Sequence, residues 1–122
     1  MFKTILTTVA MAGLLVETAL ADTYPVSGKW GESATTEKGA IDCTGLRVVD
    51  FKGDQRTDSG GGVPAYRNRS VTPDGPGRYR IVDDFSTGQI RARTRYTLKQ
   101  VEADRIELEL QRGGTIKLQR CK

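Results

Sequence analysis

Four consecutive segments in the second half of the chain alternate apolar and polar residues with period two. In GRYRIVDDF, Tyr79, Ile81 and Phe85 share one face. In IRARTRYTL, Ile90, Ala92, Thr94, Tyr96 and Leu98 lie opposite Arg91, Arg93 and Arg95. RIELELQ sets Ile106, Leu108 and Leu110 against Arg105, Glu107 and Glu109, and TIKLQ sets Ile116 and Leu118 against Lys117 and Gln119. A strand presents successive side chains to opposite faces, so this pattern predicts antiparallel strands with one buried face. Turn residues separate them: PDGPG at 73–77, STG at 86–88, EAD at 102–104 and GG at 113–114. Short connections favour hairpins between neighbours in sequence.

The first half is less regular. GKWGESAT, LRVVDFKG and AYRNRSV are strand candidates, and the mixed periodicity of LRVVDFKG suggests a bulge. GDQRTDSGGGVP reads as a flexible loop or hairpin end, and the wider stretch 55–70 as a recognition loop offering Tyr66, Arg67 and Arg69. No helical periodicity and no internal repeat occur. The expected fold is all-β, a small antiparallel up-and-down barrel of about seven or eight strands with one disulfide, a sandwich being the alternative. Closure removes the unpaired edges that a flat sheet exposes.

The N-terminus has the three parts of a secretory leader: Lys3, an uncharged and mostly apolar run from Ile5 to Val16, and the small-x-small site Ala19-Leu20-Ala21. That run is shorter than the about 20 residues that span a bilayer. Residues 1–21 are therefore expected to be a signal peptide and 22–122 a single domain, periplasmic or secreted, with no membrane span. Cys43 and Cys121 are the only cysteines. In an exported chain they are expected to pair, and a loop this long is worth roughly 4–5 kcal/mol in the chain-entropy model. Two cysteines without any histidine make a poor zinc set.

Gly28-Lys29-Trp30 holds the only tryptophan. It resembles the Gly-x-Trp motif that opens the first strand of lipocalins, avidins and the small bacterial metalloprotease inhibitors. The resemblance implies an eight-stranded calycin-like barrel in which the indole covers the closed end and an arginine of the last strand packs on it. Arg120 stands in the last strand candidate. The implied barrel-floor motif is Gly28, Trp30 and Arg120, locked by Cys121. The second lipocalin motif, Thr-Asp-Tyr, is absent, and an avidin-type site needs several tryptophans, so no ligand residues carry over.

The residues for common catalytic chemistry are missing. No histidine is present, and both cysteines are expected to be oxidised. GGGVPA at 60–65 has no helix after it and is no dinucleotide loop. Asp50, Asp54 and Asp58 lack calcium-loop spacing. Adjacent Asp83 and Asp84 point to opposite faces of a strand. No enzyme, cofactor or metal is expected.

The charge pattern says more. The chain carries 19 basic and 15 acidic residues, a net charge of +4. Arg78, Arg80, Arg91, Arg93 and Arg95 fall on two neighbouring strands. They form either a basic binding face or a solvated face whose cross-strand pairs are Arg95 with Glu107, Arg93 with Glu109 and Glu109 with Lys117. No exposed aromatic residue is expected to interleave with them, which argues against nucleic acid.

The expected function is a non-enzymatic, monomeric binding module holding a small apolar or amphipathic ligand in a lumen lined by Tyr79, Ile81, Tyr96 and Ile106. One alternative is a protein-binding barrel such as a periplasmic protease inhibitor, acting through Asp22–Ser27 on an envelope protein. Another is a binder of anionic envelope components through the basic face.

Overall fold

The structure is a computed structural model that describes residues 24–122. The expected leader lies outside the described residues. Eight antiparallel strands form a closed barrel in sequence order: β1 Gly28–Glu32, β2 Val48–Lys52, β3 Gln55–Asp58, β4 Tyr66–Pro73, β5 Arg78–Thr87, β6 Ile90–Glu102, β7 Arg105–Leu110 and β8 Thr115–Arg120. The ring closes where β8 pairs with β1, with Trp30 opposite Arg120. Among the described residues no helix is long and apolar enough to cross a membrane.

An eight-stranded barrel has an interior just wide enough for side chains to fill. Here Trp30, Val49, Phe51, Ile81, Leu98, Ile106 and Leu118 are buried inside it, with Leu108, Tyr24 and Tyr96 nearly so. Each buried leucine or isoleucine contributes roughly 1.5–3 kcal/mol. Of the residues expected to line a cavity, Ile81, Tyr96 and Ile106 belong to this core and Tyr79 packs against it.

The disulfide joins Cys43 and Cys121 across 78 residues. It lies over Gly31 of β1, where a Cβ would stand 2.5 Å from Cys43 Sγ. Only glycine leaves room for it.

Four expectations are corrected. First, the segment 53–64 is not one loop: Gln55–Asp58 is β3, and Tyr66 already opens β4, leaving 59–65 as the connection. Arg47 holds the start of that connection with two hydrogen bonds to Asp58, at 2.9 and 2.8 Å. Desolvation acts to raise the Asp58 carboxyl, but those bonds, the Gly60 N–H and the charges of Arg47 and Arg56 together hold it below its usual range. Second, β2 pairs without a bulge; register shifts fall instead at Asn68/Ser70 and at Gln100/Glu102. Third, Glu102 pairs with Arg105 across a two-residue turn, which with the one-residue shift beside it sets the β6–β7 register so that Thr97 faces Glu109 and Lys99 faces Glu107. Arg95 and Arg93 therefore do not meet those glutamates. Fourth, Lys117 faces Glu107 rather than Glu109.

Candidate functional site

At one end of the barrel Arg120 sits over the Trp30 ring, its guanidinium carbon 4.4 Å from the ring centroid. Arg120 Nε donates to Asp104 Oδ1 at 2.8 Å, which fixes the guanidinium over the indole. Trp30 Nε1 donates to Ser27 O at 3.1 Å. Gly28 opens β1 with a φ of 87°, a left-handed conformation that glycine adopts without strain. This end is filled by side chains and held shut.

The middle of the barrel carries a polar cluster within the apolar core. Asp83 alternates inward on β5 and is fully buried. Arg56 Nε donates to its Oδ2 at 2.9 Å and Tyr96 Oη to the same oxygen at 3.0 Å. Tyr24 Oη donates to Oδ1 at 3.0 Å and Asn68 Nδ2 at 3.2 Å. Four donors thus satisfy one buried carboxylate, as a charge in a low-dielectric interior requires. Desolvation, reinforced by Asp83, pushes the Tyr24 phenol far above its usual range. Desolvation raises Tyr96 likewise, against the nearby charge of Arg56.

Above this cluster the Arg56 guanidinium carbon lies 3.8 Å from the centroid of the Tyr66 ring, and Tyr66 meets Phe85 edge to face at 5.3 Å. The two rings form the floor of an open cleft of about 960 Å³. Ala65 and Ala92 widen it, and Arg67, Arg69, Arg91, Arg93 and Arg95 surround it. Among the described residues Asp84 is the only carboxylate in its wall.

The ion pairs divide these arginines. Arg69 and Arg93 share Asp84, at 3.3 and 3.0 Å. Desolvation acts to raise the Asp84 carboxyl, and the hydrogen bonds and charges of Arg93 and Arg69 together outweigh it and hold the group below its usual range. Arg67 pairs with Asp54 at 2.7 Å. Arg91 and Arg95 have no ion pair among the described residues.

The structure therefore brings together Tyr66, Arg67, Arg69, Arg91, Arg93 and Arg95. It does not bring Arg78 and Arg80 to them. Those two occupy the far end of the ten-residue β5, where Arg78 meets Glu109 at 3.5 Å and Arg80 meets Asp74 at 4.0 Å. Arg80 lines a second open groove, of about 440 Å³, that shares only Arg95 with the first. Phe85, Arg56 and Asp83 were not singled out in sequence as site residues. Phe85 carried an apolar-face signal, and Asp83 falls on the same face between Ile81 and Phe85; Arg56 carried none.

No family model matches the chain, and neither a curated protein nor a solved structure matches it.

Proposed function

We propose that this protein is an exported, non-enzymatic binding module that takes an anionic partner of the cell envelope into the cleft beside β5 and β6. The observation that carries this reading is the pair Arg91 and Arg95. Among the described residues they have no ion-pair partner, and they stand at the rim of a cleft with an aromatic floor. Most surface arginines are neutralised by neighbours; two that are not, in one concavity, focus positive potential there. Tyr66 and Phe85 add flat apolar surface for the body of the same ligand.

Support for a ligand in the lumen is weaker, because its expected lining is part of a packed core. The inhibitor reading needs a free segment before β1, yet Tyr24 is anchored by Asp83 and packs on Phe51 at 5.0 Å. The Trp30–Arg120 stack supports reading the opposite end as the closed floor of a calycin-type barrel. The disulfide supports an oxidising compartment, hence export.

The test is binding of anionic probes (a sulfated glycan, anionic vesicles, an acidic peptide) as a function of salt. Binding should weaken steeply as salt rises, since each neutralised anion releases counterions. Replacing Arg91 and Arg95 by Glu should abolish it. Binding that ignores both salt and this double substitution would refute the reading.

A further inference from the structure

We propose, on the basis of that anion-binding reading, that β6 receives an extended acidic segment of a partner protein as an added strand along Ile90–Arg95. β6 has 13 residues and β7 has six. Their pairing begins at Tyr96 opposite Leu110. Ile90–Arg95 pair with β5 alone, from Thr87 opposite Ile90 to Val82 opposite Arg95. Among the described residues nothing pairs with their other side. The barrel is closed, yet one stretch of its wall has a free edge.

The direction of the backbone groups follows from two hydrogen bonds. Gln100 N–H donates to Gly77 O, toward β5. Leu110 N–H donates to Gly114 O, away from β6, so Tyr96 and Leu110 do not bond to each other. Direction alternates along an antiparallel strand. Even-numbered residues of β6 therefore bond to β5, and the N–H and C=O groups of Arg91, Arg93 and Arg95 face the free edge. This is the row of donors and acceptors that strand addition uses.

Charge selects the occupant. The side chains of the same three arginines stand on the outer face. A second copy pairing edge to edge would set arginine against arginine, which is destabilising when like charges lie directly opposite. An incoming strand with acidic residues at alternate positions does the reverse. β7 already shows that pattern on β6, with Glu107 opposite Lys99, Glu109 opposite Thr97, and Leu108 between them on the inner face. The next outward positions on β6 are Arg95, Arg93 and Arg91. The inward ones, Thr94 and Ala92, ask for small or apolar partners. Exposed Leu110 and Ile90 bracket the edge, at 41% and 64% accessibility.

The probe is a capped eight-residue peptide alternating Glu with Val and Thr, titrated into the full chain by calorimetry. It is compared with the same peptide N-methylated on the side facing the edge, and with Arg93→Ala and Arg93→Pro. Arg93 N–H makes no bond to β5, and proline is tolerated where a strand's N–H faces outward. Melting confirms that the variants fold, and the N-methylated peptide needs no variant at all. N-methylation should weaken binding by at least about tenfold, and Arg93→Pro by at least about fivefold beyond Arg93→Ala, as loss of one or more hydrogen bonds implies. Equal binding of the N-methylated peptide, or equal effects of the two substitutions, would overturn strand addition while leaving the anion-binding reading intact. So would binding of a sulfated glycan or anionic vesicles without binding of the peptide. A dimer of the free protein that Arg93→Pro dissociates would assign the edge to a second copy and also overturn it. No binding of any anionic probe would remove both readings.

Discussion

Arg56 and Asp83 form an ion pair inside the barrel, with Arg56 Nε 2.9 Å from Asp83 Oδ2 and both side chains at most 7% exposed. They come from strands that are not neighbours in the ring: β3 and β5 are separated by β4. The bond therefore crosses the interior and ties β3 to β5 beneath the aromatic floor of the cleft.

Asp83→Asn should leave Arg56 charged and buried without its counter-ion. A cost of about 3–5 kcal/mol is expected for breaking such a pair from one side. Combining it with Arg56→Met should cost less than the sum of the two single changes, by at least about 1 kcal/mol. Chemical denaturation of the four proteins in the cycle measures this.

Tyr24 and Tyr96 carry raised phenol pKa values in the folded protein. An acid whose folded pKa is raised favours folding while it stays neutral. That contribution is complete below the ordinary phenol value of 10.0 and is lost as pH rises above it, where the unfolded chain ionises first. Thermal melting should fall from about pH 10 upward, and the phenolate absorbance of these two residues should appear only with unfolding. Tyr24→Phe with Tyr96→Phe should flatten the decline.

Gly31→Ala should destabilise the oxidised protein by about 1–3 kcal/mol, because the added methyl overlaps Cys43 Sγ. In a Cys43→Ala, Cys121→Ala background the nearest remaining atoms are Leu46 Cδ1 at 3.2 Å and the residue 43 Cβ at 3.3 Å. The penalty should then shrink to a fraction of its value. Denaturation midpoints in the two backgrounds separate a clash with sulfur from a general intolerance of alanine.

Arg120→Ala should remove the cation over Trp30 and uncover one face of the indole. The expected loss is about 1–2 kcal/mol, from the cation–π contact and the packing of the arginine stem. Trp30 is the sole tryptophan, so its fluorescence should shift to the red without loss of the fold.

β5 to β8 were legible in the sequence because each buries one apolar face, and alternation reports that. β3 was not. Its four residues, Gln55, Arg56, Thr57 and Asp58, are all polar, since its inward position is the arginine that neutralises Asp83. Patterning fails wherever the core itself is polar. The β6–β7 register was hidden for another reason: the turn falls so that Glu102 meets Arg105, which puts each pair four residues from the expected one, and a displacement by an even number leaves the same residues on the apolar face, so alternation allows both settings. The cysteine pair was legible because only one pairing existed. The basic residues were legible as a group but not as a site. Whether Arg80 and Arg91 share a cleft depends on strand length and register, which no local window contains. The free edge of β6 was invisible for the same reason: it is a difference in length between two neighbours.

Cys43 and Cys121 join the chain beside the place where the first strand meets the last. The β1–β8 seam is the junction of the ring that joins strands distant in sequence, and no hairpin bridges it. Once oxidised, β8 cannot peel from the seam without remaining tied to the chain that follows β1. The reduced chain, by contrast, can unroll from β8 and close again. The redox state of the surroundings thus determines whether the ring behaves as a clasp or as a rivet.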